Sequence, residues 1–372
     1  MTINECKQFI GNIVRKELKV PVMLIGTTGC GKSWSMKELA NELGVDFIDL
    51  RLATQEVTDL IGIPRTTYVN KETGEVLTAK AYATLPVEKR DLYEPRTFWT
   101  KPVWFPREGT KGILALEEVN RAPEDVRQAI FQLLTEWKLH THELPTGWVI
   151  VSLINPDNGS YHVNQLDPAF KRRFVQIVVT PPDATDWCVW AKKNGLDDRV
   201  IRFVAQFPRL LGKDDDISID AFPTRAGYHM LSILLQHNVI PPNCLHEVAS
   251  GIVGTEAATS FVQALKGGFE KVITAQEILS NYSAVRARYK NLVKSNRNDL
   301  LYATMVDVIA TCETKKLSKS ELDNLHYYLL DSPAETLTTI VLRLSDNVLA
   351  KLSSYADLVD KIVEIKKNIS DI

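Results

Sequence analysis

Gly26-Thr27-Thr28-Gly29-Cys30-Gly31-Lys32-Ser33 follows the apolar run at residues 22–25 and precedes a helical pattern. The spacing G-x4-G-K-S is that of a phosphate-binding loop. Its glycines let successive backbone N–H groups curl round phosphate oxygens. Lys32 has the reach of a point charge for β- and γ-phosphates. The Ser33 hydroxyl is placed to hold Mg²⁺, and the helix that follows aims its positive end at the anion. That helix is legible as a stripe: Met36, Leu39, Ala40 and Leu43 fall at i, i+3, i+4 and i+7, and Gly44 stops it.

Outward from the loop, short apolar runs at 22–25, 47–50, 113–116, 148–154 and 174–179 are mostly separated by helical stretches. This is the pattern of an α/β fold with a five-stranded, mostly parallel sheet covered on both faces. A second helix is expected over about 123–137, with Val126, Ile130, Leu133, Leu134 and Trp137 as its stripe. Between the second and third strands lies a Pro- and aromatic-rich insert, residues 62–110. In it Tyr68-Val69 and Val76-Leu77 flank a Gly-containing loop, which predicts a β-hairpin. From about residue 183 strand-like runs nearly vanish and helical periods dominate. The expected division is a nucleotide-binding core at 1–182, a helical lid at 183–270 and a helical C-terminal extension at 271–372.

The third strand ends Leu114-Ala115-Leu116-Glu117-Glu118. An apolar strand ending in two acids beside a phosphate loop suits phosphoanhydride hydrolysis. One carboxylate steadies Mg²⁺ and the next orients the attacking water. Glu117 is assigned to the metal and Glu118 to the water.

With the segment Glu118-Val119-Asn120-Arg121-Ala122-Pro123, these features resemble AAA+ ATPases, more narrowly the MoxR-type branch related to dynein and McrB-like modules. Further matches are Asp49-Leu50-Arg51 with Asp59-Leu60-Ile61-Gly62-Ile63-Pro64, Leu144-Pro145-Thr146-Gly147-Trp148, and Ala221-Phe222-Pro223-Thr224-Arg225. The resemblance spans about residues 20–270. It implies a P-loop ATP hydrolase using ATP and Mg²⁺, an αβα core, an all-α lid and a homo-oligomeric ring, commonly hexameric. It implies that Asn155 is sensor 1 and Arg225 sensor 2, and that Arg173, or else Arg172, is an arginine finger given to the neighbouring subunit. It also implies a chaperone-like remodelling role with a protein client or a von Willebrand A-domain partner. The chain has no D-x-S-x-S, so that partner is expected to be a separate polypeptide. Two positions depart from the family pattern. Glu117 stands where Asp is usual, and Thr27-Thr28 where prolines are common.

Composition bounds the alternatives. The net charge of −2 gives no general nucleic-acid affinity. Lys171-Arg172-Arg173 is only a short basic run, so nucleic acid is possible as a partner but not indicated. A McrB-like or helicase-like motor, and a slow nucleotide-binding scaffold motivated by Glu117, remain the alternative functions. No apolar run approaches the ~20 residues of a membrane span. No secretory signal is visible, and Cys6, Cys30, Cys188, Cys244 and Cys312 are never spaced C-x2-C. These features fit a cytoplasmic protein without a disulfide framework. Trp99, Trp104 and Phe105 are expected to pack the insert onto the core rather than to contact substrate. His140 and His142 lack partner ligands at metal spacing. Asp214-Asp215-Asp216 is expected to be a solvated loop.

Overall fold

The computed structural model describes residues 1–157, 164–212, 221–267 and 271–370; the acidic run at 214–216 lies outside them. The chain divides into two compact units, Met1–Pro181 and Pro182–Ile372.

The first unit is built on five strands: β1 (Val22–Ile25), β2 (Asp46–Arg51), β3 (Gly112–Glu117), β4 (Trp148–Ile154) and β5 (Val175–Val178). All neighbours pair in parallel, in the order β5-β1-β4-β3-β2. The expected five-stranded sheet is therefore present, with strand limits shifted by a residue or so. Every residue of β3 and β4 is buried, which is why these strands read as unbroken apolar runs rather than alternating ones. Alternation still decides the face. Leu114, Leu116 and Ile150 point into one apolar cluster with Val126, Ile130 and Leu133 of the helix Glu124–Glu136. Ile113, Ala115, Val149 and Val151 point into the other, with Met36 and Leu39 of the helix Lys32–Leu43 and Ile10 and Ile13 of the helix Ile3–Arg15. The sequence reading missed the helix Ile3–Arg15. Its signal was a capping box, in which the Thr2 side chain accepts from Glu5 N–H and Glu5 accepts from Thr2 N–H.

The insert forms its own antiparallel sheet. The expected hairpin pairs Tyr68 with Leu77 and Val69 with Val76. A third strand, Tyr93–Trp99, adds along Pro64–Asn70. It escaped the sequence reading because Pro95 interrupts it, and Pro is tolerated here because this strand is an edge of the sheet. The strand's base is closed by Thr100 N–H donating to the Ile63 carbonyl at 3.1 Å. Beside it Gly62 has φ 87, and a Cβ there would lie 1.7 Å from the Thr100 carbonyl oxygen, so glycine is required. The aromatic cluster seats the base of the insert. Trp104 Nε1 donates to the Asp59 carbonyl at 2.9 Å, Phe105 is buried in the core, and Trp99 lies 4.4 Å from His140 between ring centroids.

The second unit is helical in its described residues. One apolar cluster gathers Trp187, Phe203, Tyr228 and Phe261. Another gathers Tyr282, Tyr289 and Tyr328 with leucines of the later helices. No helix of the described residues is long and apolar enough to cross a membrane.

One residue tests how tightly the sheet is closed. A Cβ on Gly112, the first residue of β3, would lie 2.5 Å from the Asp46 carbonyl and 2.7 Å from the Trp148 ring. Gly112→Ala should destabilise the protein by about 1–3 kcal/mol through overpacking. Gly251→Ala, at a helical site with nothing within 4 Å of the added carbon, should be neutral or stabilising. Urea unfolding midpoints of the two variants check the contrast.

Candidate nucleotide site

The phosphate loop leaves the carboxyl end of β1, where Gly26 N–H donates to the Ile154 carbonyl at 3.1 Å. Gly29 and Gly31 take φ 78 and 97, conformations that L side chains rarely adopt. The helix Lys32–Leu43 then begins with Gly31 as N-cap, with no side-chain cap and no acid in its first turn. Its leading N–H groups and its dipole are thus left for an anion. Lys32 is 8% exposed. Its Nζ donates to the carbonyls of Gly26 at 2.6 Å and Thr27 at 2.9 Å, and to Asn155 Oδ1 at 3.3 Å. Asn155 follows the last residue of β4, so the structure brings the loop lysine and the expected sensor amide together. Thr28 and Cys30 complete the loop, with Cys30 buried.

Glu117 ends β3 and is 8% exposed. Burial raises its carboxyl above the ordinary range. The Ser33 hydroxyl donates to it and opposes that rise, Asp49 adds to it, and Lys32 and Arg51 oppose it. Its Oε1 is fully buried and has no hydrogen-bond partner. A buried carboxylate oxygen left open beside a serine hydroxyl fits a hard cation that takes oxygen ligands and water. Glu118 turns away from its neighbour because it adopts φ 56, ψ 36, a left-handed conformation unusual outside glycine. Its side chain is part-exposed, 3.8 Å from Arg121 across a one-turn spacing. Two adjacent acids thus meet different environments, one dry and facing Ser33, the other wetter and directed elsewhere.

Of the remaining expected residues, Arg172 and Arg173 lie apart from this cluster. Arg172 and Arg173 are exposed in the turn between the helix Pro168–Lys171 and β5, and the Arg173 guanidinium sits over the Phe131 ring at 5.1 Å. Val175 pairs with Val22, so this turn lies at the amino end of β1, while the phosphate loop leaves the carboxyl end. The length of β1 separates the two ends by about 13 Å. Arg225 lies in the second unit, where it opens the helix Arg225–Gln236 and donates Nε to the Pro182 carbonyl at 2.7 Å. Three residues were missed as site neighbours: Asp49 and Arg51 beside Glu117, and Arg121 beside Glu118. Strand pairing of Arg51 with Glu117 brings Arg51 in, a contact that sequence spacing does not carry.

Two outcomes follow from this geometry. Lys32→Ala should abolish tight nucleotide binding, because the charge-assisted contact to phosphate is lost; titration with a fluorescent ATP analogue reads it. Glu117→Gln should melt higher than wild type in nucleotide-free, metal-free buffer at neutral pH. The native carboxyl holds its proton more tightly than the unfolded one, so wild-type stability falls as pH rises from the ordinary carboxylate range to the raised native value. The gap between the two proteins should therefore close in acid, which melting curves across pH would show.

Residues 21–174 match the family of AAA domains, dynein-related subfamily. A 57-residue stretch is 37% identical to the replication factor C large subunit of Methanococcus aeolicus, covering 15% of this chain and 12% of that protein's length. Among solved structures, a proposed ATPase of Cytophaga hutchinsonii aligns over 66% of this chain and 81% of its own, at 18% identity and TM-score 0.35. The RuvB Holliday junction branch migration motor of Thermotoga maritima aligns over 87% and 93%, at 11% identity and TM-score 0.36. Residues 21–174, the stretch that holds the phosphate loop and the acid pair, thus match the AAA domain of the dynein-related subfamily.

Proposed function

We propose that this chain is a MoxR-like AAA+ ATPase that works as a homo-oligomeric ring, of six subunits as is common in such proteins, and uses ATP hydrolysis to remodel protein complexes beside a separate von Willebrand A-domain partner. The observation that supports it best is the division of charged and polar groups between the two ends of one parallel sheet. Lys32, Ser33, Glu117, Glu118 and Asn155 gather at the carboxyl ends, and Arg172 and Arg173 stand at the amino end of β5.

Each group then has a task. Backbone N–H groups of Gly26–Ser33 and the Lys32 ammonium hold the phosphates. Ser33 and Glu117 hold Mg²⁺, which supplies charge neutralisation at the phosphate oxygens. Glu118 orients the attacking water and takes its proton. Asn155 donates its amide to the γ-phosphate or that water once Lys32 turns from Asn155 to the phosphate. Arg225 reaches the nucleotide from the lid. Arg173 is too far from its own γ-phosphate and serves a neighbour's, with Arg172 as the alternative finger.

Glu118→Gln should bind ATP but hydrolyse it poorly, since the amide keeps the shape and loses the base. Arg173→Ala should fold, bind ATP and lose hydrolysis, a trans-supplied arginine being worth roughly 10³–10⁵ in rate. A mixture of the two should regain activity, because some interfaces then pair an intact Glu118 with an intact Arg173. A phosphate-release assay on co-assembled protein checks this. A mixture that stays inactive despite proven co-assembly would refute the trans arrangement.

A further inference from the structure

The turn after β3 holds a side chain that the proposed roles do not use. Asn120 is 3% exposed and lies in the 3-10 turn Val119–Arg121, directly behind Glu118. Its Nδ2 donates to the backbone carbonyl of Asn155 at 3.0 Å. The acceptor is a carbonyl, so only the NH₂ end of the amide satisfies it.

Asn155 needs such a tether. The strand ladder holds β4 as far as Ile154, whose carbonyl accepts from Gly26 N–H. Asn155 lies one residue beyond, and Pro156 follows it without an N–H to offer. The backbone of Asn120 is itself fixed at both sides. Glu118 N–H donates to the Leu153 carbonyl at 3.0 Å, and the Asn120 carbonyl accepts from Asn164 N–H at 2.7 Å. Asn120 therefore joins the Glu118 turn to the end of β4, on the residue whose Oδ1 meets Lys32 at 3.3 Å.

We infer that Asn120 is a positioning residue for ATP hydrolysis: its side-chain bond to the Asn155 carbonyl fixes the Asn155 amide in register with Lys32 and Glu118. The inference rests on the proposed role of Asn155. Asn120 acts through Asn155 and touches no substrate, so its loss slows turnover and leaves nucleotide binding to the loop and Lys32.

Three variants of the full chain decide it: Asn120→Asp, which sets an oxygen against the carbonyl, Asn155→Ala, and the two combined. Asn120→Asp should lower kcat at saturating ATP by about 10–100-fold, the scale of a small misplacement in a preorganised site. Its affinity for a non-hydrolysable ATP analogue should match wild type, while its melting temperature falls because a buried carboxyl there loses the bond to the carbonyl. The double variant should be no slower than Asn155→Ala, because both changes remove one contribution. Losses that multiply would overturn the inference, as would weakened analogue binding alongside lower kcat, which marks a structural role. If Asn155→Ala turns over like wild type, the reading of Asn155 itself fails. If Asn155→Ala is slow while Asn120→Asp is not, only the inference about Asn120 fails. Should Asn120→Asp not fold, Asn120→Ala takes its place, and failure of both to fold also overturns it.

Discussion

The hydrogen bond from Gly26 N–H to the Ile154 carbonyl marks the constraint on which the site depends: β1 is held in parallel register against β4 up to its last residue. Parallel pairing puts the carboxyl ends of all five strands on one edge of the sheet. The phosphate loop, the two acids and Asn155 then converge there although they are far apart in sequence. The same pairing sends the segment before β5 to the opposite edge. Arg172 and Arg173 stand there, exposed and away from the phosphate loop. A single antiparallel strand would break both consequences, because it would reverse which end carries the loop.

Glu117 shows a conflict between stability and function. A carboxylate with a fully buried, unpartnered oxygen opposes folding, and burial accordingly shifts it toward the protonated form. Nothing in sheet packing calls for an acid at that position, since its neighbours in β3 are Leu116 and Ala115. The Ser33 hydroxyl is its hydrogen-bonding neighbour, and that residue opens the loop's helix. The longer side chain, where the family usually has Asp, still meets that hydroxyl. The left-handed Glu118 is a related cost, since backbone strain there turns the second acid out of the line of the strand.

The insert at 62–110 is attached by local contacts rather than by a long apolar face. Gly62, Thr100 and the Trp104–Asp59 bond close its base, and Phe105 is its deepest side chain. The three-stranded sheet above that base adds strands whose residues are mostly exposed or half-buried. A sheet of this size so anchored projects from the core without contributing to the core's own packing.

The sequence by itself determined the phosphate loop, the five core strands, the acid pair and the helical character of the second unit. These are written in local signals: glycine spacing, unbroken apolar runs for strands buried on both faces, and helical periods. It also carried the branch of AAA domains, through the stretch after Glu118. Tertiary structure alone decided which groups meet. Lys32 with Asn155, Ser33 with Glu117, Arg51 with Glu117 and Asn120 with the Asn155 carbonyl are all pairings between separate segments, set by strand order and register. No local pattern encodes them, because hydrogen-bond partners across a sheet depend on which strands lie side by side. The third strand of the insert was hidden for a similar reason, since Pro95 forbids a central strand and only the fold makes it an edge.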